Sequence, residues 1–314
     1  MKLRLRYLLL VLLPTYVMAE AVQISGPQGP LEAEQMVPGD AAHVVVIVPG
    51  SGPTDRDGNS PQTGLATDTY KLIAEGLAAQ GIASLRIDKR GFFGSDTAIA
   101  DPNDVTIKAY ADDVRDWVDR ASLIAPCVWI AGHSEGGLVA LVAAQDPPAS
   151  LCGLILLATP GRPIGQLMIA QFEANPANEP IMPEIRSIVT DLEAGSAPDP
   201  ADISPVLQPL FTPSLQRYMI DLFSHDPAAI AADWNGPALI IQGDADLQVS
   251  PDDADLLEGV MQQAVRVNLP GGTHMLKEAV PSAPLADYYD PTLPLHNMVL
   301  RSIFDFISAN GKTD

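Results

Sequence analysis

This sequence predicts an α/β fold, a mostly parallel sheet with a helical segment inserted between two of its strands. Three observations carry the prediction. Short apolar runs rich in β-branched residues alternate with segments of helical spacing. The alternation stops between residues 161 and 235, where prolines and short helical stretches replace it, and resumes after Pro237. One run, Val128–Ala131, leads straight into Gly132-His133-Ser134-Glu135-Gly136 and then into a small-residue apolar run with no breaker.

The elements follow in order. Val22–Ser25 and Leu31–Val37 flank Gly26-Pro27-Gln28-Gly29-Pro30 and suggest a hairpin. His43–Val48 is an unbroken apolar run, the signature of a strand covered on both faces. It enters Pro49-Gly50-Ser51-Gly52-Pro53 and the polar loop Thr54–Gly64. Asp68–Gln80 places Tyr70, Ile73, Ala74 and Leu77 on one helical face, and Gly81 stops it. Ala83–Ile87 reads as a strand, Asp88–Ser95 as a turn, and Thr106–Leu123 as a helix with Ile107, Tyr110, Ala111, Val114 and Val118 inward. Leu154–Ala158 is the next strand. In the insertion, Ile164–Glu173, Pro183–Glu193 and Ser214–Phe223 have helical character. Ala238–Gln242, a helix over Asp252–Gln263, Val265–Leu269 and a helix over Pro294–Ala309 complete the chain. The expected organisation is a core of residues 20–160 and 236–314, with 161–235 as a cap over the sheet's C-terminal edge.

The chain has 314 residues, 47% of them hydrophobic and 18% charged, which is a globular composition. Its 39 acids against 18 bases give a net charge of −21, so nucleic acid and anionic membrane surfaces are excluded as partners. Lys2, Arg4 and Arg6, the apolar run Tyr7–Leu13 and Val17-Met18-Ala19, with small or β-branched residues at the cleavage positions, read as a signal peptide over 1–19. Cleavage is expected after Ala19, with Val22 as the alternative start. The run is too short to span a bilayer, so no membrane insertion follows cleavage, and a periplasmic or secreted protein is expected. The two cysteines, Cys127 and Cys152, each begin a predicted strand. If these strands are parallel neighbours, the Cα atoms lie about 5–6 Å apart and a disulfide is within reach.

A strand that turns sharply into a helix through Gly-x-Ser-x-Gly forces its serine into a strained conformation and leaves no room for side chains two residues either side. Gly132, Gly136 and Gly137 meet that demand, and Ser134 becomes the candidate nucleophile. A serine hydroxyl needs a base, and the base an orienting acid. Of five histidines, His274 in Pro270-Gly271-Gly272-Thr273-His274-Met275 follows the last strand on the expected edge. His43, His133, His225 and His296 are less well placed. The acid is expected between Ser134 and His274, in Gly243-Asp244-Ala245-Asp246, where spacing allows either Asp244 or Asp246. Two backbone N–H groups are needed where negative charge develops. Glu135 supplies one, and Ser51, with Gly52 second, supplies the other.

The segments VVIVPGSGPTDRDGN, RIDKRGFFGSD, GHSEGG, LIIQGDADLQV and PGGTHM occur in this order. Together they resemble bacterial α/β-hydrolases of the EstD-type carboxylesterase and serine-aminopeptidase-like group. The resemblance covers most of residues 40–160 and 236–276. It implies an α/β-hydrolase fold and an acyl-enzyme route, and its Gly-x-x-Asp-x-x-Val pattern falls on Gly243, Asp246 and Val249, favouring Asp246. The chain departs from many relatives in carrying Pro49-Gly50 where they have His-Gly, and its cap matches no known substrate pocket.

The expectation is a serine hydrolase for small neutral carboxylic esters, needing neither metal nor organic cofactor. The insertion is rich in Leu, Met and Phe with no cluster of Arg or Lys, so acyl chains of about two to eight carbons are expected. Aminopeptidase, amidase or thioesterase chemistry would use the same triad, and a binding protein that kept the fold without turnover is the other alternative.

Overall fold

β1 (Ala19–Ser25) and β2 (Pro30–Met36) form the antiparallel hairpin expected around Gly26–Pro30. They are followed by β3 (His43–Val48), α1 (Thr69–Ala79), β4 (Ala83–Ile87), α2 (Ile107–Ala121), β5 (Cys127–His133), α3 (Glu135–Ala143) and β6 (Leu151–Leu157). Four helices come next, α4 (Ile164–Glu173), α5 (Met182–Glu193), α6 (Pro213–Phe223) and α7 (Pro227–Ala231). The sheet then continues with β7 (Ala238–Gly243), α8 (Pro251–Val260) and β8 (Ala264–Leu269), and the chain ends in α9 (Ala286–Tyr289) and α10 (Asn297–Asn310). This computed structural model describes residues 19–311. The expected leader falls, up to residue 18, outside them, and no described helix is long and apolar enough to cross a membrane.

The eight strands make one sheet in the order β1-β2-β4-β3-β5-β6-β7-β8. From β4 to β8 all neighbours are parallel, and β2 joins β4 antiparallel. β3 shows why the central strands read as continuous apolar runs. Its alternate residues face opposite sides, and helices cover both. Val44, Val46 and Val48 pack with α2 and α3, while Val45 and Ile47 pack with α1 and α10. Full burial of each such side chain contributes about 1.5–3 kcal/mol.

Parallel register brings the C-terminal ends of β3, β5, β7 and β8 to one edge, so the loops carrying Ser51, Ser134, Asp246 and His274 converge there. Between β5 and β6 the register shifts at Val128/Trp129, with Val128 opposite Leu151 and Trp129 opposite Gly153. Cys152, the residue left over, is bonded to Cys127 with Cα atoms 5.5 Å apart. The sequence separation of 25 makes this cross-link worth about 3 kcal/mol in loop entropy.

One expectation needs correction. The last helix starts at Asn297, not at Pro294, and His296 is outside it as the N-cap, its Nδ1 accepting from the Met298 N–H at 3.3 Å. The short helix α9 has no apolar period long enough to announce it in the sequence.

Candidate active site

Ser134 stands between β5 and α3 with φ 54° and ψ −124°. Its N–H donates to the Leu157 carbonyl at 2.9 Å, and its carbonyl accepts from Gly137 at 2.9 Å. The glycines are required by contact. A Cβ on Gly132 would run into the Gly136 backbone, one on Gly136 into the Val48 carbonyl, and one on Gly137 into Thr159.

His274 and Asp246 meet as the sequence pattern implies. His274 Nδ1 lies 2.9 Å from Asp246 Oδ2, and both side chains are buried. The other carboxylate oxygen accepts the Gln248 and Val249 N–H groups at 2.7 and 2.9 Å. Burial alone would raise the Asp246 carboxyl, but the His274 ring and these amides outweigh it and hold it below the usual range. An ionised acceptor at Nδ1 keeps the proton there and leaves Nε2 as the basic nitrogen. Asp244 does something else. Its Oδ1 accepts the Gly271 N–H at 2.6 Å and so pins the turn that precedes His274.

Gly50 is held through both of its backbone polar groups. The Gly50 N–H donates to the Tyr70 hydroxyl at 3.1 Å, and the Gly50 carbonyl accepts from Lys89 Nζ at 2.7 Å. The carbonyl of Gly50 and the N–H of Ser51 belong to one planar trans unit and point oppositely, so Lys89 fixes the direction of that N–H. Lys89 also donates to Glu135 Oε1 at 3.2 Å, and Ser51 Oγ donates to Glu135 Oε2 at 3.0 Å. Lys89 and Glu135 are each only 3% exposed, so the carboxylate is spent inside this cluster. The Ser51 and Glu135 N–H groups have no acceptor among the described residues.

His133, expected to be a bystander beside the serine, links two loops. Its Nε2 lies 2.8 Å from the His274 carbonyl, which can only accept, so Nε2 carries the proton. Nδ1 then accepts from the Tyr70 hydroxyl at 2.8 Å. A chain of bonds therefore runs from Gly50 through Tyr70 and His133 to the backbone of His274. The only sequence signal for it was a polar residue at the end of a fully apolar strand. His43 packs edge-on against Trp129, and His225 lies 3.8 Å from Asp221.

Two cavities meet at Ser134. One, of about 350 Å³, is lined by Ser134, His274 and residues of the 50–65 loop. The other, of about 310 Å³, is lined by Ser134, Glu135 and apolar residues of α4 and α6. The Tyr218 hydroxyl, from α6, is buried beside Glu135 without a hydrogen bond of good geometry.

Burial, and then the neighbouring His274, push His133 down to about 3. The unfolded chain binds a proton there below about pH 6.5, whereas the folded chain resists protonation until about pH 3. His133 thus makes stability fall as pH drops through that window. Thermal unfolding from pH 7 to pH 4 should show a shallower acid decline in His133→Gln than in the wild type. Parallel declines in the two proteins would remove His133 as a source of acid sensitivity.

Residues 64–278 match the family described as Serine aminopeptidase, S33. Over 219 residues the chain is 28% identical to Esterase EstD of Thermotoga maritima, covering 68% of this chain and 48% of that protein, so it spans about half the length of that relative. Among solved structures, Est1E from Butyrivibrio proteoclasticus with bound ferulic acid superposes with a TM-score of 0.62 at 18% identity, covering 92% of this chain and 98% of that one. Proline iminopeptidase from Mycobacterium smegmatis gives 0.62 at 15% identity, covering 92% and 99%. At such identities these two speak for the fold alone. With the matched region spanning more than half of the sequence, this chain belongs to the serine aminopeptidase, S33, family of α/β-hydrolases.

Proposed function

We propose that the protein hydrolyses small neutral carboxylic esters through an acyl-enzyme on Ser134. The observation that carries this is the His274–Asp246 bond at the cavity that Ser134 also lines. Ser134 Oγ attacks the acyl carbon while His274 Nε2 takes its proton. Asp246 orients the ring and balances the imidazolium. The Ser51 and Glu135 N–H groups hold the oxyanion, and His274 returns the proton to the leaving oxygen. Water, activated by His274, then releases the acid.

Ester is favoured over aminopeptide by the charges. An aminopeptidase needs an anionic group for the substrate's α-ammonium. Among the residues lining the two cavities the one acid is Glu135, already neutralised by Lys89. The name of the Thermotoga relative points the same way. The basic and apolar leader supports export.

Fluorophosphonate should label Ser134 and no other serine, and Ser134→Ala should lose on the order of 10⁴–10⁶ in turnover of p-nitrophenyl acetate and butyrate. Asp246→Asn should cost about 10²–10⁴, and Asp244→Asn much less. Labelling elsewhere, or faster turnover of aminoacyl anilides than of esters, would displace the proposal. Lys89→Met frees the Gly50 carbonyl, so kcat should drop about 10–100-fold with KM changed far less. A loss confined to KM would show that Lys89 does not act through the oxyanion peptide. For exported protein, one intact-mass spectrum should give a chain beginning at Glu20 with no alkylatable thiol. A full-length mass in the membrane fraction would argue for an anchor.

A further inference from the structure

We infer that Gln242 is a positioning residue for the acid Asp246, and that the 243–249 loop is wound around its side-chain amide. The inference rests on the Ser134, His274 and Asp246 roles proposed above. Gln242 is the penultimate residue of β7 and is 1% exposed. Alternation along the strand puts it on the same face as Ile240, whose side chain belongs to the apolar core. A hydrocarbon side chain would fill that place by packing alone, whereas an amide there costs desolvation unless it is bonded.

The amide is bonded at one end only. Nε2 lies 3.1 Å from the Gly243 carbonyl, 3.2 Å from Asp246 Oδ2 and 2.9 Å from the Val249 carbonyl. An amide oxygen turned to that side would meet three acceptors, so the donor end has to face them. Oε1, on the other side, is buried without a partner. A buried amide whose acceptor goes unmet calls for an explanation, and its donor supplies one. The three residues that Nε2 reaches are those of the Gly-x-x-Asp-x-x-Val pattern. The pattern thus marks a loop whose every third residue returns to one donor. Its first residue has a further constraint. A Cβ on Gly243 would strike the Gly272 backbone, and the Ala245 N–H donates to the Gly272 carbonyl at 2.9 Å. The loop is therefore pressed on the turn that carries His274, and a shift of one is passed to the other.

On the Asp246 carboxylate the bonds divide evenly. Oδ1 accepts the Gln248 and Val249 N–H groups, and Oδ2 accepts from His274 Nδ1 and Gln242 Nε2. The two backbone amides hold one oxygen and leave the other to swing. Gln242 occupies the second acceptor direction of Oδ2 and keeps that oxygen on His274. Through the Val249 carbonyl it also fixes the residue whose N–H holds Oδ1. Gln242 lines neither cavity, so it reaches the reaction only through Asp246.

The test is a double-mutant cycle on the full protein with p-nitrophenyl butyrate. Gln242→Met matches glutamine in length and has no donor. It should lower kcat about tenfold and leave KM within about twofold of the wild type. Gln242→Leu is a second donor-free variant, and thermal unfolding checks that each is folded. Gln242→His keeps a neutral N–H at about the reach of Nε2, and should recover roughly half of the wild-type kcat. In an Asp246→Asn background, Gln242→Met should cost less than about twofold more, because the group it acts on is already lost. A folded donor-free variant as fast as the wild type would overturn the inference. So would a loss confined to KM, an equal loss in the presence and absence of Asp246, or a histidine variant no faster than the methionine one. Failure of the underlying proposal is read in the wild type alone, as no release of p-nitrophenol or no fluorophosphonate on Ser134.

Discussion

Ser134 is held at φ 54° and ψ −124°, where a residue with a side chain sits at a cost of about 1–3 kcal/mol. Such a conformation persists only where its surroundings leave no relaxed alternative. Here the constraint comes from backbone pressed on backbone. Gly132 meets Gly136 across the turn, and Gly136 meets Val48 and Pro49 at the end of β3. The hydroxyl is thereby lifted clear of the sheet, and the same close approach sets the distance between α3 and the 50–52 loop. Neither side of the turn can gain a methyl group without opening that gap. The strain at one residue and the place of the 50–52 loop are two results of a single packing arrangement.

How much of this could be read from the sequence depends on the range of each interaction. Strands buried on both faces announce themselves as runs such as HVVVIV, and helices through spacing such as that of Tyr70, Ile73, Ala74 and Leu77. Ser134, Asp246 and His274 were legible because strand ends and short motifs mark them. His133 and Lys89 were not. Their partners, the His274 carbonyl and the Gly50 carbonyl, are backbone atoms 141 and 39 residues away, and backbone atoms leave no signature in composition. Spacing could not choose between Asp244 and Asp246 for a related reason. Both sit in the same loop, and what separates them is that one faces an imidazole and the other an amide N–H.

The motifs that carry the family resemblance outside the triad also acquire a physical meaning. In the 54–59 stretch, Asp55 Oδ1 accepts the N–H groups of Asp57 and Asn59, and Asn59 Oδ1 accepts those of Thr67 and Asp68. Arg56 reaches across to Asp88 and Glu32, and Arg86, 2% exposed, pairs with Glu34 and Asp57. Desolvation consumes much of the attraction in such buried pairs, so their worth lies in fixing one arrangement more than in stability. They tie a long polar loop to β2 and β4, and that loop is the wall of the cavity beside His274. A wall made of loop needs this cross-bracing to keep one shape.

The proposed mechanism poses an electrostatic problem, how a chain of net charge −21 would stabilise a developing oxyanion. Two carboxylates lie close to Ser134, and each has an opposing partner. Asp246 faces His274, so its charge is matched when the imidazolium forms. Glu135 is adjacent to Ser134 in the chain, and an unpaired carboxylate there would oppose negative charge on the substrate in a low-dielectric pocket. Lys89 neutralises it and, with the same ammonium group, holds the Gly50 carbonyl. One side chain therefore removes the repulsion and orients a donor. These two effects are coupled: a lysine drawn toward the carbonyl alone would leave Glu135 uncompensated, and one drawn to Glu135 alone would release the peptide. The geometry in which both bonds form, 2.7 and 3.2 Å from one nitrogen, is what would make an acidic protein compatible with the anion stabilisation proposed at this serine.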